Sequence, residues 1–371
     1  METYRLSSKV SDEGNEYLIQ TANDTNRGAV LTNIYVNGRL SETFSCPHPY
    51  EVKPEEVVSL VKLTHDEKKQ ELESLLQAYR RVQQDANGEA MNQLGVAFYY
   101  KGLYAEARSL FQGALALDSD NHQAANHLGM AELALGNIPQ AIHAATVAVS
   151  KRPGFADYHH NLGEAYLAGS DSEQAAAEFE KAISINMYYS DAYLSLGMAR
   201  ILHAILKPDP ADWPRKLSVI KDCMIKATLI YADYRCPEFE SGISALEGGD
   251  LSRSLEIFKL VAQKKRERNR QESASFYLRA ALFPELVSGK MIADRIEYLE
   301  AEIKKNPSYV DLQAELSRCY LEQAKIFWQK GVDQYRRTYQ LSPSLAKVRL
   351  ALEESEQAYE DIALTLRKIS E

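Results

Sequence analysis

The chain has 371 residues, 45% of them hydrophobic and 26% charged, with a formal net charge of −9. That composition can fill a substantial core, and nothing in it points to disorder. No run approaches the ~18 uninterrupted apolar residues of a membrane span, and the opening METYRLSSKV carries charge where a signal peptide needs an apolar stretch. A cytoplasmic protein with no membrane insertion is therefore expected. The four cysteines, Cys46, Cys223, Cys236 and Cys319, are far apart and form no CxxC pair, which reads as reduced thiols and not as a zinc site or disulfide framework.

Residues 1–53 read as a small antiparallel β element. Four stretches with strand character, Tyr4 to Val10, Tyr17 to Asn23, Ala29 to Val36 and Arg39 to Ser45, are separated by turn-rich segments. Asn37-Gly38 is the strongest local signal, because a two-residue hairpin needs positive φ at both central positions. So small a sheet needs a cover on one face. The helical residues 54–87 are the expected cover, and also the expected cap of the helical units C-terminal to them. Pro54 suits a first helical position, and Val57, Val58, Leu60 and Val61 give an apolar face. Thr64 with Glu67 reads as a capping box that opens a second helix through Leu72, Leu75, Leu76, Tyr79 and Val82.

Between Gly88 and Tyr189 one 34-residue unit is written three times, with cuts at Gly88, His122 and Ala156. Leu94-Gly95, Leu128-Gly129 and Leu162-Gly163 share one offset. Ala107, Ala141 and Ala175 share another, followed by Phe111, Ala145 and Phe179 and then by Ala114, Ala148 and Ala182. Small residues at fixed spacing suit a close crossing of two helices, and Leu and aromatics fill the space between units. A unit of this kind cannot bury its apolar face alone and must stack. Gly102 and Gly136 sit where a first helix ends in a left-handed residue.

The period, the Leu-Gly pair, Phe98 and Tyr166 three residues after its glycine, and the Ala/Phe/Ala series resemble the tetratricopeptide repeat (TPR) family. The resemblance implies a mainly α fold, a right-handed solenoid of helix-turn-helix units, here carrying the small N-terminal antiparallel β element. It also implies a protein partner. The regular units span 88–206 and include the start of a fourth at Ser190. Residues 207–343 read as irregular units, interrupted by a proline-rich insertion at 207–214 that places Ala227 eleven residues late. The frame resumes with Gly242, Gly249 and Phe258. Two degenerate units follow, one near Phe276 that ends at Asn306-Pro307 and one from Val310 to Pro343. Residues 344–371 read as a capping helix.

The resemblance further implies that the first helix of each unit lines a concave groove. On this chain that face holds Asn92, Val96, Tyr99 and Tyr100, then Asn126, Met130 and Leu133, then His160, Asn161 and Glu164, then Asp191, Leu194 and Met198. The places from which lysines and asparagines grip a C-terminal carboxylate in chaperone-binding relatives hold Asn92, Val96, Asn126 and His160 here, so that carboxylate clamp is absent. The amides suit the backbone of an extended peptide, and Tyr99, Tyr100, Met130 and Met198 suit the apolar anchors of a partner helix.

Residues 87–206 hold 6 Lys and Arg against 12 Asp and Glu, whereas 207–290 hold 15 against 12. The acidic groove makes nucleic acid an unfavourable ligand. The basic run Lys264 to Arg270 reads as the solvated end of an amphipathic helix, and His159-His160 as groove wall. No P-loop, dinucleotide motif, nucleophile elbow or HExxH is present, so no enzyme and no cofactor are expected. The reading is a scaffold or adaptor in the bacterial style that binds a peptide or helix, with self-association open to the edge of the N-terminal sheet. Two alternatives stand beside it. One is a regulatory or accessory subunit of a motility or secretion ATPase or of a small GTPase, acting through the β element. The other is an RNA-associated repeat centred on 207–290.

Overall fold

A computed structural model describes residues 4–12, 14–48, 53–282, 289–305, 307 and 310–370. The chain begins with a four-stranded antiparallel meander, β1 (Arg5–Asp12), β2 (Asn15–Asp24), β3 (Ala29–Val36) and β4 (Arg39–Pro47), in sequential order. The β3–β4 turn is the expected hairpin, with Asn37 at φ 50° and Gly38 at φ 79°. In β2, Tyr17, Ile19, Thr21 and Asn23 alternate onto the buried face. That face is covered by α1 (Pro54–Asp85).

The expected break at Thr64 is absent. α1 is one helix of 32 residues, and Thr64 lies buried in its middle beside His65. The reason lies in the neighbours of that site, since Val57, Val61, Thr64 and His65 share the face turned to the sheet and a helix start there would uncover it. His65 Nδ1 meets Thr21 Oγ1 at 3.0 Å and its Nε2 meets Ser8 Oγ at 2.8 Å. Burial lowers its pKa, so the ring is neutral at pH 7.

Five helix pairs follow: α2 (Gly88–Tyr100) with α3 (Tyr104–Leu117), α4 (His122–Ala134) with α5 (Ile138–Lys151), α6 (Ala156–Ala168) with α7 (Ser172–Ile185), α8 (Ser190–Leu206) with α9 (Trp213–Ile230), and α10 (Pro237–Glu247) with α11 (Leu251–Leu282). A Cβ on Gly95 would lie 2.5 Å from the Phe111 ring, and one on Gly163 would lie 2.6 Å from the Phe179 ring. In the second unit Ala145 replaces the phenylalanine. The helices close in, and a Cβ on Gly129 would come within 3.1 Å of the Ala145 nitrogen. The insertion at 207–214 delays α9, so that Met224 instead of a phenylalanine faces Gly197. Phe258 restores the interlock against Gly242.

The sheet is fused to this solenoid. Tyr17, Ile19 and Ile34 share one core with Leu72, Leu75, Leu76, Phe98 and Phe111. Tyr17 OH donates to Glu106 Oε1 at 2.6 Å. Lys101, buried at the end of α2, is paired with Glu42 of β4 at 3.4 Å and with Glu71 of α1. Burial opposes the charge on Lys101, but the two carboxylates outweigh it and raise its pKa.

The last two units depart from expectation. α11 and α13 (Val310–Leu341) each run unbroken for 32 residues where helix pairs are expected. After Gly249 the chain has no glycine or proline before Pro284, and after Pro307 no proline before Pro343. Nothing therefore stops the helices. The boundary expected at Asn306 and the side chain of Phe276 lie outside the described residues. α12 (Gly289–Lys305) packs on α13 around Ile292, Ile296, Leu299 and Cys319, and α14 (Ala346–Ser370) packs on α13.

Candidate protein-interaction groove

The inner faces of α2, α4, α6 and α8 carry a polar ladder that repeats every 34 residues, each rung joining residues 35 apart. His127 Nδ1 meets Asn92 Oδ1 at 2.9 Å, Asn161 Nδ2 donates to Asn126 Oδ1 at 2.9 Å, and His160 Nε2 meets Ser195 Oγ at 3.3 Å. Each rung joins the fifth residue of one unit to the sixth of the next. The amides expected to bind a peptide backbone are thus engaged across units, with Asn92 and Asn126 buried. Burial depresses the pKa of His127 to about 4, which keeps its ring neutral and its Nδ1 proton available to Asn92.

The apolar candidates divide by unit. Val96, Tyr99, Tyr100, Met130 and Leu133 are half-buried on the first two units. Leu194 and Met198 are fully buried, in one cluster with Ile201, Leu255, Phe258 and Val261. They are core on a helix that α11 packs against, which corrects their assignment to an open groove wall.

The cover is α11. Its first half, to Ala262, is the second helix of its unit. It then continues along the inner side of the solenoid and packs against both α8 and α2, with a lighter contact on α1. The turn of helix that enters is the basic run, and its described side chains meet the acids of the groove. Lys265, buried, pairs with Asp191 and stands 4.2 Å over the Tyr231 ring and 5.0 Å from that of Tyr234. Arg266 Nη1 lies 2.6 Å from Glu164 Oε2, 102 residues away. Arg268 pairs with Asp233 at 3.3 Å, and Lys264 pairs with Glu238 outside the groove. The expectation of a solvated helix end fails for Lys265, which is buried, whereas Lys264, Arg266 and Arg268 stay exposed while paired.

The electrostatics are mutual. Burial works against ionised Asp191, yet Lys265, then His160, and hydrogen bonds from Lys265 and Tyr234 hold its carboxyl down to about 2. Burial likewise opposes Glu164, and Arg266, His160 and the Ser195 hydroxyl lower it. His160 is lowered by burial against the pull of Glu164 and Asp191, with Arg266 and Lys265 adding to the drop. Ser195, His160 and Glu164 do not make a nucleophilic triad. The serine proton goes to Glu164 at 2.6 Å, and Ser195 is 3% exposed. His159 is held by Glu178 at 2.6 Å and the Pro153 carbonyl at 3.0 Å. Among the described residues no cluster of His, Cys, Asp and Glu has the makings of a metal site, and no helix is long and apolar enough to cross a membrane.

Lys265, Arg266, Arg268, Tyr231 and Tyr234 were not among the expected groove residues. The signal for them was present in the opposite signs of the run at 264–270 and of the first helices. Spacing alone did not show that the two would meet.

The tetratricopeptide repeat family model matches residues 72–122 and 126–190. The match falls on the helix pairs that carry the close glycine contacts at Gly95, Gly129 and Gly163. The matched residues are tetratricopeptide repeats. A TPR repeat-containing thioredoxin, TTL4, of Arabidopsis thaliana is 30% identical over 90 residues, which is 24% of this chain and 13% of that protein's length. Among solved structures, a thermophilic TPR protein of Thermus thermophilus is 22% identical and covers 51% of this chain and 100% of its own, with a TM-score of 0.36. A TPR protein of Parabacteroides merdae is 14% identical, over 72% of this chain and 98% of its own, with a TM-score of 0.36. TPR units of this kind build protein-interaction scaffolds.

Proposed function

We propose that this protein is a non-catalytic scaffold whose ligand surface is the concave face of α2, α4, α6 and α8, and that this face accepts a helix. The observation that carries the reading is α11 itself, since α2 and α8 pack against it and Asp191 and Glu164 pair with its cations. In the resting chain the groove is closed by the protein's own segment. A partner engages the half-buried surface around Tyr99 and Met130 once that segment gives way. An RNA-binding role draws no support from the basic run, because Lys264, Lys265, Arg266 and Arg268 are each matched to a carboxylate.

The test is co-purification with the full chain as bait. A Tyr99→Ala/Met130→Ala double variant with unchanged circular dichroism is expected to lose partners that the parent retains. Retention of all of them contradicts the groove as the site.

A further inference from the structure

The geometry points to a basic amphipathic helix of another protein as the groove's outside ligand, one that presents an adjacent lysine and arginine to Asp191 and Glu164 and replaces the part of α11 beyond Ala262. This rests on the proposed function and adds the chemistry of the partner.

Three observations carry it. The acids that meet α11 come from separate elements, Glu164 on α6 and Asp191 on α8, with Asp233 in the short turn before α10. The two groove acids are kept ionised by the cations they receive. Without the Lys265 and Arg266 side chains the same wall would hold two partly buried carboxylates with no cationic partner from α11, an arrangement that an incoming cation relieves and an incoming carboxylate worsens. Second, the Lys265 ammonium is received by the faces of Tyr231 and Tyr234 as well as by Asp191, so the site is shaped for a cation and not for a general polar group. Third, α11 changes character along its length. Leu255, Phe258, Val261 and Ala262 are buried in the core, and directly beyond them the described anchors are charged. The first half is fixed by apolar packing, and the turn that follows is held by charge pairs that another chain can reproduce. A tethered occupant acts at an effective concentration of about millimolar, so an outside helix competes well only when α11 is weakened.

The probe is a fluorescent synthetic peptide with the sequence of residues 258–282, beside a second peptide in which every Lys and Arg is changed to Glu. Each is titrated against the full chain and against the full-length Lys265→Glu/Arg266→Glu variant, whose own helix is repelled by the groove. Release is read as trypsin cleavage at the remaining sites, Lys264, Arg268 and Arg270, at least tenfold faster than in the parent. The native-sequence peptide is expected to bind the variant at least tenfold more tightly than it binds the parent, and the inverted peptide is expected not to bind. Equal binding of both peptides overturns the basic-helix inference and leaves a helix-accepting groove standing. If neither binds although trypsin shows release, both readings fail. Unchanged trypsin resistance overturns the inference, because the charge pairs then do not hold the helix. Should the variant not fold, Lys265→Met/Arg266→Met removes the same pairs without new charge and is judged by the same readouts.

Discussion

Two second helices of the solenoid, α7 and α11, begin alike and end differently. Each follows a tight turn and sets a phenylalanine against the glycine of its first helix, Phe179 on Gly163 and Phe258 on Gly242. α7 stops after 14 residues at Ile185, with Asn186 extended at φ −127°, and serves as an outer wall of its unit. α11 runs for 32 residues and enters the groove that the other units form. One packing rule thus yields a wall or an occupant, according to where the helix ends. The shared part is held by shape, and the turn of α11 directly beyond it by the charge pairs of Lys265 and Arg266.

Loss of the shared interlock gives the largest expected effect. Phe179→Ala and Phe258→Ala each remove a fully buried ring and should each cost about 3–5 kcal/mol in denaturant unfolding, with little dependence on salt. A much smaller cost at Phe258 would break the equivalence of the two helices.

Acid comes next. His127 and His160 have pKa values held below the ordinary 6.5, that of His127 at about 4. The folded state therefore binds fewer protons than the unfolded state between those limits. The stability they contribute is complete above pH 6.5 and is lost as pH falls toward 4, by up to about 3 kcal/mol for His127. The Asp191 contribution is lost lower, between about pH 3.8 and 2. Thermal unfolding from pH 7.5 to 4 should show a falling midpoint, and His127→Gln should flatten it.

A smaller change is expected from the ladder. Asn126→Ala leaves Asn161 without its 2.9 Å partner and should cost about 1–3 kcal/mol by chemical denaturation, while leaving α11 in place. The smallest effect belongs to Lys264→Ala. Its pair with Glu238 is exposed and lies outside the groove, so no measurable change in stability or trypsin resistance is expected.

The regular units were legible because their spacing is a direct record of contact. Gly95, Gly163, Phe111 and Phe179 occupy fixed offsets because they touch. The N-terminal hairpin was legible for the same local reason, through Asn37-Gly38. What the sequence did not show depends on contacts without a period. Thr64 fits a capping box by pattern, but the face it shares with Val61 and His65 is claimed by the sheet. Leu194 and Met198 occupy groove positions by register and become core because α11 packs on their helix. The amides at Asn92, Asn126 and Asn161 fall at binding positions and are engaged by their neighbours one unit on. The same limit applies to the sheet. Removing residues 1–50 would expose Leu72, Leu75 and Leu76 and leave Lys101 with one carboxylate fewer, so that deletion would test folding before it tested partner choice.

The central claim is that α11 occupies the groove in the resting chain. Hydrogen exchange at the amides of Lys264 to Arg268 tests it most directly, measured in the parent and in a Glu164→Lys/Asp191→Lys variant. The account predicts protection in the parent comparable to that of α8, and at least tenfold faster exchange in the variant with α7 unchanged. Equal exchange of this segment in both proteins, at the rate of a solvated helix end, would contradict it.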